Sequence, residues 1–188
     1  MNLQLQTSLH KCLEKIGLFS PSELEEIFLH CTFNEVKKDN YLLKQGEVCN
    51  AIFFLIKGAA YQYQNGEGME EIIELYAEHD CIVSASSLFF LKPSEEDIKA
   101  FTDCTVLTLT IQSIHELIAK SPVYFQLGKI LQPGWFRVGF FDKAMSPQEK
   151  YKHVLTNKPQ LIKIFPLKFL ASYLKITPET LSRVRAAV

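Results

Sequence analysis

The spacing of apolar residues changes twice along the chain. Near the start, Leu24, Ile27 and Phe28 recur at the spacing of one helix face, behind Ser20-Pro21-Ser22-Glu23, where a proline suits the first turn. Residues 3–31 therefore read as helical. From about residue 33 the period falls to two. TFNEVKKDNYLLKQGE, AIFFLIKG, AAYQYQNG, EEIIELYAE, CIVSAS, IKAF and CTVLTLT are short pieces bounded by Gly, Asn or Asp, the mark of strands and turns. Asn65-Gly66 is a hairpin signal, because both residues tolerate the positive φ of a tight turn. Six or more short strands within about 75 residues predict a β-sandwich or barrel-like roll.

Past Leu109 the helical period returns. Ile111 to Lys120 predict one helix, and Pro122 suits the opening of a second that runs toward residue 145. Phe125, Ile130, Phe136 and Phe140 would give that helix more apolar surface than a small core needs, as expected of a seam between two copies. Pro133-Gly134 interrupts it. An interior proline loses a hydrogen bond and clashes with the preceding turn, at about 3 kcal/mol, so a kink or break is expected there. Ser146-Pro147-Gln148-Glu149 restarts a helix as a capping box, and residues 146–188 read as a small all-helical domain.

Within that domain, PLKFLASYLKITPETLSRVR divides into two short helices, Leu167 to Leu174 and Pro178 to about Ala187. Helices that cross at roughly 90–120° need a small residue at the crossing and a shared core. Ala171 supplies the first, and Leu170, Leu174, Ile176, Leu181 and Val184 fall inward for the second. Thr177 suits the N-cap of the second helix and Pro178 its first position. The pattern predicts a helix–turn–helix, with Lys175 at the bend, where glycine turns left-handed freely and lysine does so at a cost of about 1 kcal/mol.

The second helix of such a motif enters the DNA major groove. Arg183 can donate twice to guanine, and Glu179, on the same helix face, can accept from the cytosine amino group. Thr180 and Ser182 can reach phosphates or bases, Thr177 stands at the helix start, and Lys168, Lys175 and Arg185 suit the phosphate backbone. The candidate DNA-binding set is Lys175, Thr177, Glu179, Thr180, Ser182, Arg183 and Arg185. The plain alternative to the motif is a helical hairpin; separately, Glu179 and Arg183 can form an i,i+4 surface ion pair, which is compatible with base contact.

Charge sharpens this picture. The net charge of −1 divides into +6 for residues 147–188 and −7 for residues 1–146. A basic tail on an acidic body fits a nucleic-acid module beside a different one, or simply a solvated helical surface. No apolar run approaches the roughly 20 residues of a membrane helix. The start, MNLQLQTSLHKCLEK, lacks the features of a signal peptide, so a cytoplasmic address is expected. Five cysteines, at 12, 31, 49, 81 and 104, contain no CxxC and read as free packing thiols, so neither a metal nor another cofactor is expected. No Ser-His-Asp set, paired carboxylates or phosphate loop is legible, so an enzyme is not expected.

LLKQGEVCNAIFFLIKGAAYQYQNGEGMEEIIELYAEHD resembles the first half of a cyclic-nucleotide-binding jelly roll, with turn glycines at Gly46 and Gly58. TPETLSRVR resembles the recognition helix of the Crp/Fnr transcription regulators, and the order of parts is that family's too. The resemblance implies an α+β fold. A cyclic-nucleotide-binding-like double-stranded β-helix (jelly roll) flanked by helices would occupy residues 1–110. A connecting dimerisation helix would cover 111–145 and a helix–turn–helix domain 146–188. It implies a homodimer that binds double-stranded DNA carrying an inverted repeat, with Glu179 and Arg183 on the bases.

The sensor half departs from the family. Members that bind cyclic AMP carry a Gly-Glu pair for the ribose hydroxyl and, some ten residues on, an Arg for the phosphate. Here Val83-Ser84 replaces the pair, and the arginine region reads Ser94-Glu95-Glu96-Asp97, whose carboxylates would repel a phosphate. Binding of cyclic AMP or cyclic GMP is therefore not expected. The cysteine cluster of oxygen-sensing members is missing, and His79 and His115 read as ordinary histidines rather than haem ligands. Two readings of the roll stay open. It holds another small-molecule effector, with Ser84, Ser86, Ser87, Phe89 and Phe90 as pocket candidates, or it is an empty scaffold that supports dimerisation. The rivals to the whole reading are a ligand-binding or protein-interaction module without DNA binding, and a cyclic-nucleotide sensor with a remodelled pocket.

Overall fold

The computed structural model describes residues 2–66, 70–131 and 145–187. Two helices come first, α1 (Asn2–Leu13) and α2 (Pro21–Leu29). The helical start expected over 3–31 is thus broken between them. Gly17 lies in the break, where an added Cβ would stand 2.4 Å from Gln126 Oε1. That closeness lets the Gln126 amide donate to the Leu18 carbonyl at 3.0 Å. At α2, Ser20 Oγ accepts from the Glu23 N–H, and the Glu23 carboxylate accepts from the Ser20 N–H at 2.6 Å. This reciprocal cap satisfies donors that a helix start otherwise leaves open.

Eight strands follow: β1 (Thr32–Val36), β2 (Tyr41–Leu43), β3 (Ala51–Lys57), β4 (Ala60–Asn65), β5 (Glu70–Tyr76), β6 (Cys81–Ile82), β7 (Asp97–Ala100) and β8 (Cys104–Thr110). They form two four-stranded sheets, ordered β1–β8–β3–β6 and β2–β7–β4–β5. In the first, antiparallel pairing sets Asn34 and Leu55 opposite Val106. Gly58 turns the chain from β3 to β4 at φ 98°, with the Asp103 carbonyl 2.4 Å from where a Cβ would be. No other residue fits that turn without moving the backbone. β4 runs to Asn65 and β5 is described from Glu70, so the turn expected at Asn65-Gly66 lies partly outside the described residues. A short helix, α3 (Ala85–Phe90), separates β6 from β7.

After β8 come α4 (Ile111–Lys120) and a 3-10 helix, Pro122–Leu131. An α-helix is expected from Pro122 on, but Tyr124, Leu127 and Ile130 are the buried residues. Their spacing of three matches a helix of three residues per turn, in which every third side chain eclipses. Phe125 faces out, 66% exposed. The expected break at Pro133-Gly134, and the seam residues Phe136 and Phe140, lie outside the described residues.

Among the described residues four helices follow: α5 (Pro147–Asn157), α6 (Pro159–Ile164), α7 (Leu167–Tyr173) and α8 (Pro178–Ala186). The capping box at Ser146 and Glu149 is present. The apolar pattern does not predict α6 as a separate helix. It begins where Lys158 leaves the helical region and Pro159 supplies a first helical residue.

The chain forms two compact units, Met1–Ala60 with Tyr76–Gln132, and Tyr61–Leu75 with Pro133–Val188. The first is centred on Leu13, Ile27, Ile52, Phe54, Leu55, Ile82, Leu109 and Leu117, all fully buried. Each such side chain contributes about 1.5–3 kcal/mol by leaving water. In the second unit Tyr151, Val154, Leu161, Phe165, Leu170, Tyr173, Leu174 and Leu181 are buried. Segment 61–75, whose sequence reads as part of the roll, groups there with the C-terminal helices.

Candidate functional site

Helices α7 and α8 meet around a short connection. Leu170, Ala171, Leu174, Leu181 and Val184 are buried, as their positions predict. Ile176 is not in that core. It is half-buried, because its N–H reaches back to the Ala171 carbonyl at 3.0 Å, closing the turn and leaving its side chain toward the surface. Lys175 makes the bend possible with φ at 51°, the left-handed conformation anticipated there. Its N–H bonds the Ser172 carbonyl at 3.0 Å.

α8 starts cleanly. Thr177 Oγ1 accepts from the Thr180 N–H at 3.2 Å and donates to Thr180 Oγ1 at 3.1 Å. Glu179, Ser182, Arg183 and Arg185 are exposed, and Thr180 is half-buried. Pro178, Glu179, Ser182 and Arg183, with Leu167, line a shallow open groove. The Arg183 guanidinium donates to Thr180 Oγ1 at 3.4 Å. The i,i+4 ion pair open to Glu179 and Arg183 is not among the described ion pairs. The Glu179 carboxyl is held below the usual range by its own backbone N–H and then by the Thr177 hydroxyl, with Arg183 a lesser cause. It is therefore ready to accept at neutral pH. Lys168, also exposed, stands 5.5 Å over the Phe169 ring.

Strand β5 runs beside α7 within the same unit. The Ile72 N–H donates to Ser172 Oγ at 2.9 Å. The Tyr61 ring meets Phe169 edge-on, with centroids 5.1 Å apart. Glu71 pairs with Lys175 at 3.5 Å, and Glu74, buried, with Lys158 at 3.1 Å. Between strand and helices opens a largely apolar cleft of about 500 Å³, walled by Ile72, Phe169, Ala171, Ile176 and Pro178, with Glu70 and Lys168 also lining it. No local pattern foretells these contacts; β5 and α7 lie about 100 residues apart.

In the roll, the pocket candidates separate. Ser84 and Ser87 are fully buried, but their hydroxyls are engaged by the chain. Ser87 Oγ accepts from the Cys49 N–H at 2.9 Å and donates to the Lys92 carbonyl at 2.5 Å. Ser84 Oγ accepts from Ser94 Oγ at 3.1 Å and lies 3.4 Å from Glu96 Oε2. Ser86, Phe89 and Phe90 are exposed instead, the two rings meeting edge-on, with Leu91 turning left-handed at φ 52° just beyond. Short α3 thus puts Ser87 on its buried flank and Ser86, Phe89 and Phe90 on its exposed one. Of the carboxylates over residues 95–97, Glu95 pairs with Lys92 at 2.9 Å, and buried Asp97 accepts from the Gln45 N–H at 2.9 Å.

Among the described residues no group of three or more His, Cys, Asp or Glu could hold a metal ion. The cysteines are free, and burial pushes the Cys12 and Cys31 thiols up to about 12, away from reactivity. The His79 N–H bonds the Leu55 carbonyl at 2.8 Å and its carbonyl accepts from Lys15, a structural role at a tight bend. Among the described residues no helix is long and apolar enough to cross a membrane.

Comparison with known proteins adds a fold. Residues 33–121 match the cyclic nucleotide-binding domain. No curated protein sequence matches the chain. Among solved structures, a regulatory protein from Silicibacter pomeroyi DSS-3 aligns with a TM-score of 0.66 at 14% identity, over 98% of this chain and 87% of that one. FixK2 from Bradyrhizobium japonicum aligns at 0.63 and 14% identity, over 84% and 83%. The catabolite activator protein of Thermus thermophilus aligns at 0.56 and 18% identity, over 94% and 85%. At these identities the likeness is one of fold.

Proposed function

We propose that the protein is a homodimeric DNA-binding transcription regulator of the Crp/Fnr type, whose α7–α8 pair is a helix–turn–helix. One observation carries the reading. α8 is anchored by buried Leu181 and Val184, while Glu179, Ser182 and Arg183 stand exposed on a capped helix start. Those groups match the demands of base edges in the major groove: a bidentate donor, a carboxylate acceptor and a hydroxyl. The excess of six positive charges over residues 147–188 supports phosphate contact around them. Similarity of fold to a catabolite activator protein and to FixK2 across most of the chain agrees. A two-fold dimer would present two such helices to an inverted repeat with half-sites roughly 34 Å apart.

The domain division that goes with this reading is a sensor roll over 1–110, a dimerising connection over 111–145 and a DNA-binding head over 146–188. Selection of bound sequences from random duplexes tests it. An enriched palindrome is expected; none at low salt would favour a module without DNA binding.

The sensor is proposed not to bind cyclic AMP or cyclic GMP. The engaged hydroxyls of Ser84 and Ser94, and the carboxylates of Glu95, Glu96 and Asp97, support this, since a phosphate needs a cation there. Thermal unfolding with each nucleotide decides it, because a ligand at 100 times its Kd stabilises by about 2.7 kcal/mol. No shift is expected. An effector of another kind stays within the proposal, with Ser84, Ser86, Ser87, Phe89 and Phe90 as its candidate residues, of which Ser86, Phe89 and Phe90 are exposed.

A further inference from the structure

Segment 61–75 carries four glutamates, at 67, 70, 71 and 74, and no lysine or arginine. Its strand β5 lies along the most basic part of the chain. Two of its carboxylates are committed to lysines: Glu71 to Lys175 at 3.5 Å and Glu74 to Lys158 at 3.1 Å. Between them the Ile72 N–H donates to Ser172 Oγ, which fixes the register of strand on helix. Stability alone is a poor reason for this arrangement. Glu74 is 1% exposed and its Oε2 has no hydrogen-bond partner among the described residues, a buried acceptor left unmet. An apolar side chain there would serve a static interface better.

Lys175 is the bend residue of the helix pair, where a side chain suits a DNA phosphate. To an ammonium group, a carboxylate oxygen and a phosphate oxygen are equivalent anionic acceptors. One lysine does not serve both fully. The pair is about half exposed on both sides, 40% at Lys175 and 47% at Glu71, hence weak and readily exchanged.

We infer that β5 is an internal competitor of DNA: the Glu71 carboxylate occupies the Lys175 ammonium that a backbone phosphate takes in the complex. β5 thereby holds the helix pair in a self-inhibited state. The inference rests on the DNA-binding reading above. Whatever draws β5 off the helices, or shifts its register, raises affinity for DNA without touching a base-reading residue.

The test uses the full chain and the duplex recovered by selection, with affinity measured across a salt series. Glu71→Gln keeps shape at a half-exposed position and removes the charge. It is expected to bind about two- to fivefold more tightly than wild type. The slope of log affinity against log salt should stay close to that of wild type, because the Lys175 ammonium neutralises the same phosphate in both complexes. Glu70→Gln, one residue away, removes an equal charge outside the pair and should give less than half of that increase in affinity. In a Lys175→Gln background, Glu71→Gln should have no effect. Unaltered affinity for Glu71→Gln, an equal increase from Glu70→Gln, or an increase that survives without Lys175 would each overturn the competitor. Wild type that fails to bind while Glu71→Gln binds would be its strongest support. If neither retains any duplex at low salt, the DNA-binding reading falls and takes the inference with it.

Discussion

The Lys150 ammonium donates to the Leu174 carbonyl at 3.0 Å, and both residues are buried. α5 thus reaches across 24 residues to hold the carbonyl of Leu174, the C-cap of α7, next to the left-handed Lys175. A cation at a helix C-terminus meets both an open acceptor and the negative end of the helix dipole. The bond therefore sets where α7 stops and where the bend begins.

Lys150→Met keeps the stem and deletes the donor. It is expected to destabilise the protein by about 1–3 kcal/mol, the cost of leaving a buried acceptor unmet. Urea unfolding measures this through the midpoint at unchanged slope. A midpoint equal to wild type would show that Leu174 does not depend on Lys150.

Lys175→Gly separates stability from binding. Glycine takes φ near 51° without the penalty a side chain carries, so stability should hold or rise by up to about 1 kcal/mol. DNA affinity should fall, and its salt slope should lessen by about 1, as for any lost phosphate contact. A variant both stable and full in affinity would remove Lys175 from the interface.

Glu149 links the head to pH. The Ser146 hydroxyl, and then the Ser146 N–H, hold its carboxyl below the ordinary 4.5. A folded-state value lowered in this way gives stability that is complete above about pH 4.5 and is lost as pH falls through the lower folded value. Glu149→Ala should therefore differ from wild type most at neutral pH, and the two unfolding curves should converge toward pH 3, roughly, in urea titrations. Curves that stay equally separated across that range would deny the carboxylate its capping role.

Local signals were legible and distant ones were not, for physical reasons. Ser20 with Glu23, and Ser146 with Glu149, announce helix starts because a cap is settled within four residues. Leu170, Leu174, Leu181 and Val184 fall inward because helical geometry alone chooses their side. The α-helix expected from Pro122 is a 3-10 helix up to Leu131, where Tyr124, Leu127 and Ile130 bury at a period of three that barely parts from 3.6 over a single short stretch. Phe89 and Phe90 are pocket candidates because they fall in the stretch that stands where the family carries its nucleotide cassette; in the fold both are exposed, beside the left-handed Leu91 that ends α3. The pairing of β5 with α7, through Ile72 and Ser172, leaves no trace in either segment, because nothing local records a partner about 100 residues away.

Arg183 is the most direct test of what α8 does. Its guanidinium makes a single long bond, 3.4 Å to Thr180 Oγ1, and is exposed, so the folded protein does not depend on it. Arg183→Ala should leave unfolding within about 0.5 kcal/mol of wild type, as surface changes do. On the selected duplex the same change should cost about 1–3 kcal/mol and relax base preference at one position in each half-site, since a bidentate arginine discriminates guanine by its O6 and N7. Lysine cannot replace it fully, because an ammonium is a point charge and lacks the planar fork. Arg183→Lys should therefore recover the salt dependence but not the base preference. Binding that Arg183→Ala leaves intact, with the same preferred sequence, would mean that α8 touches DNA elsewhere or not at all.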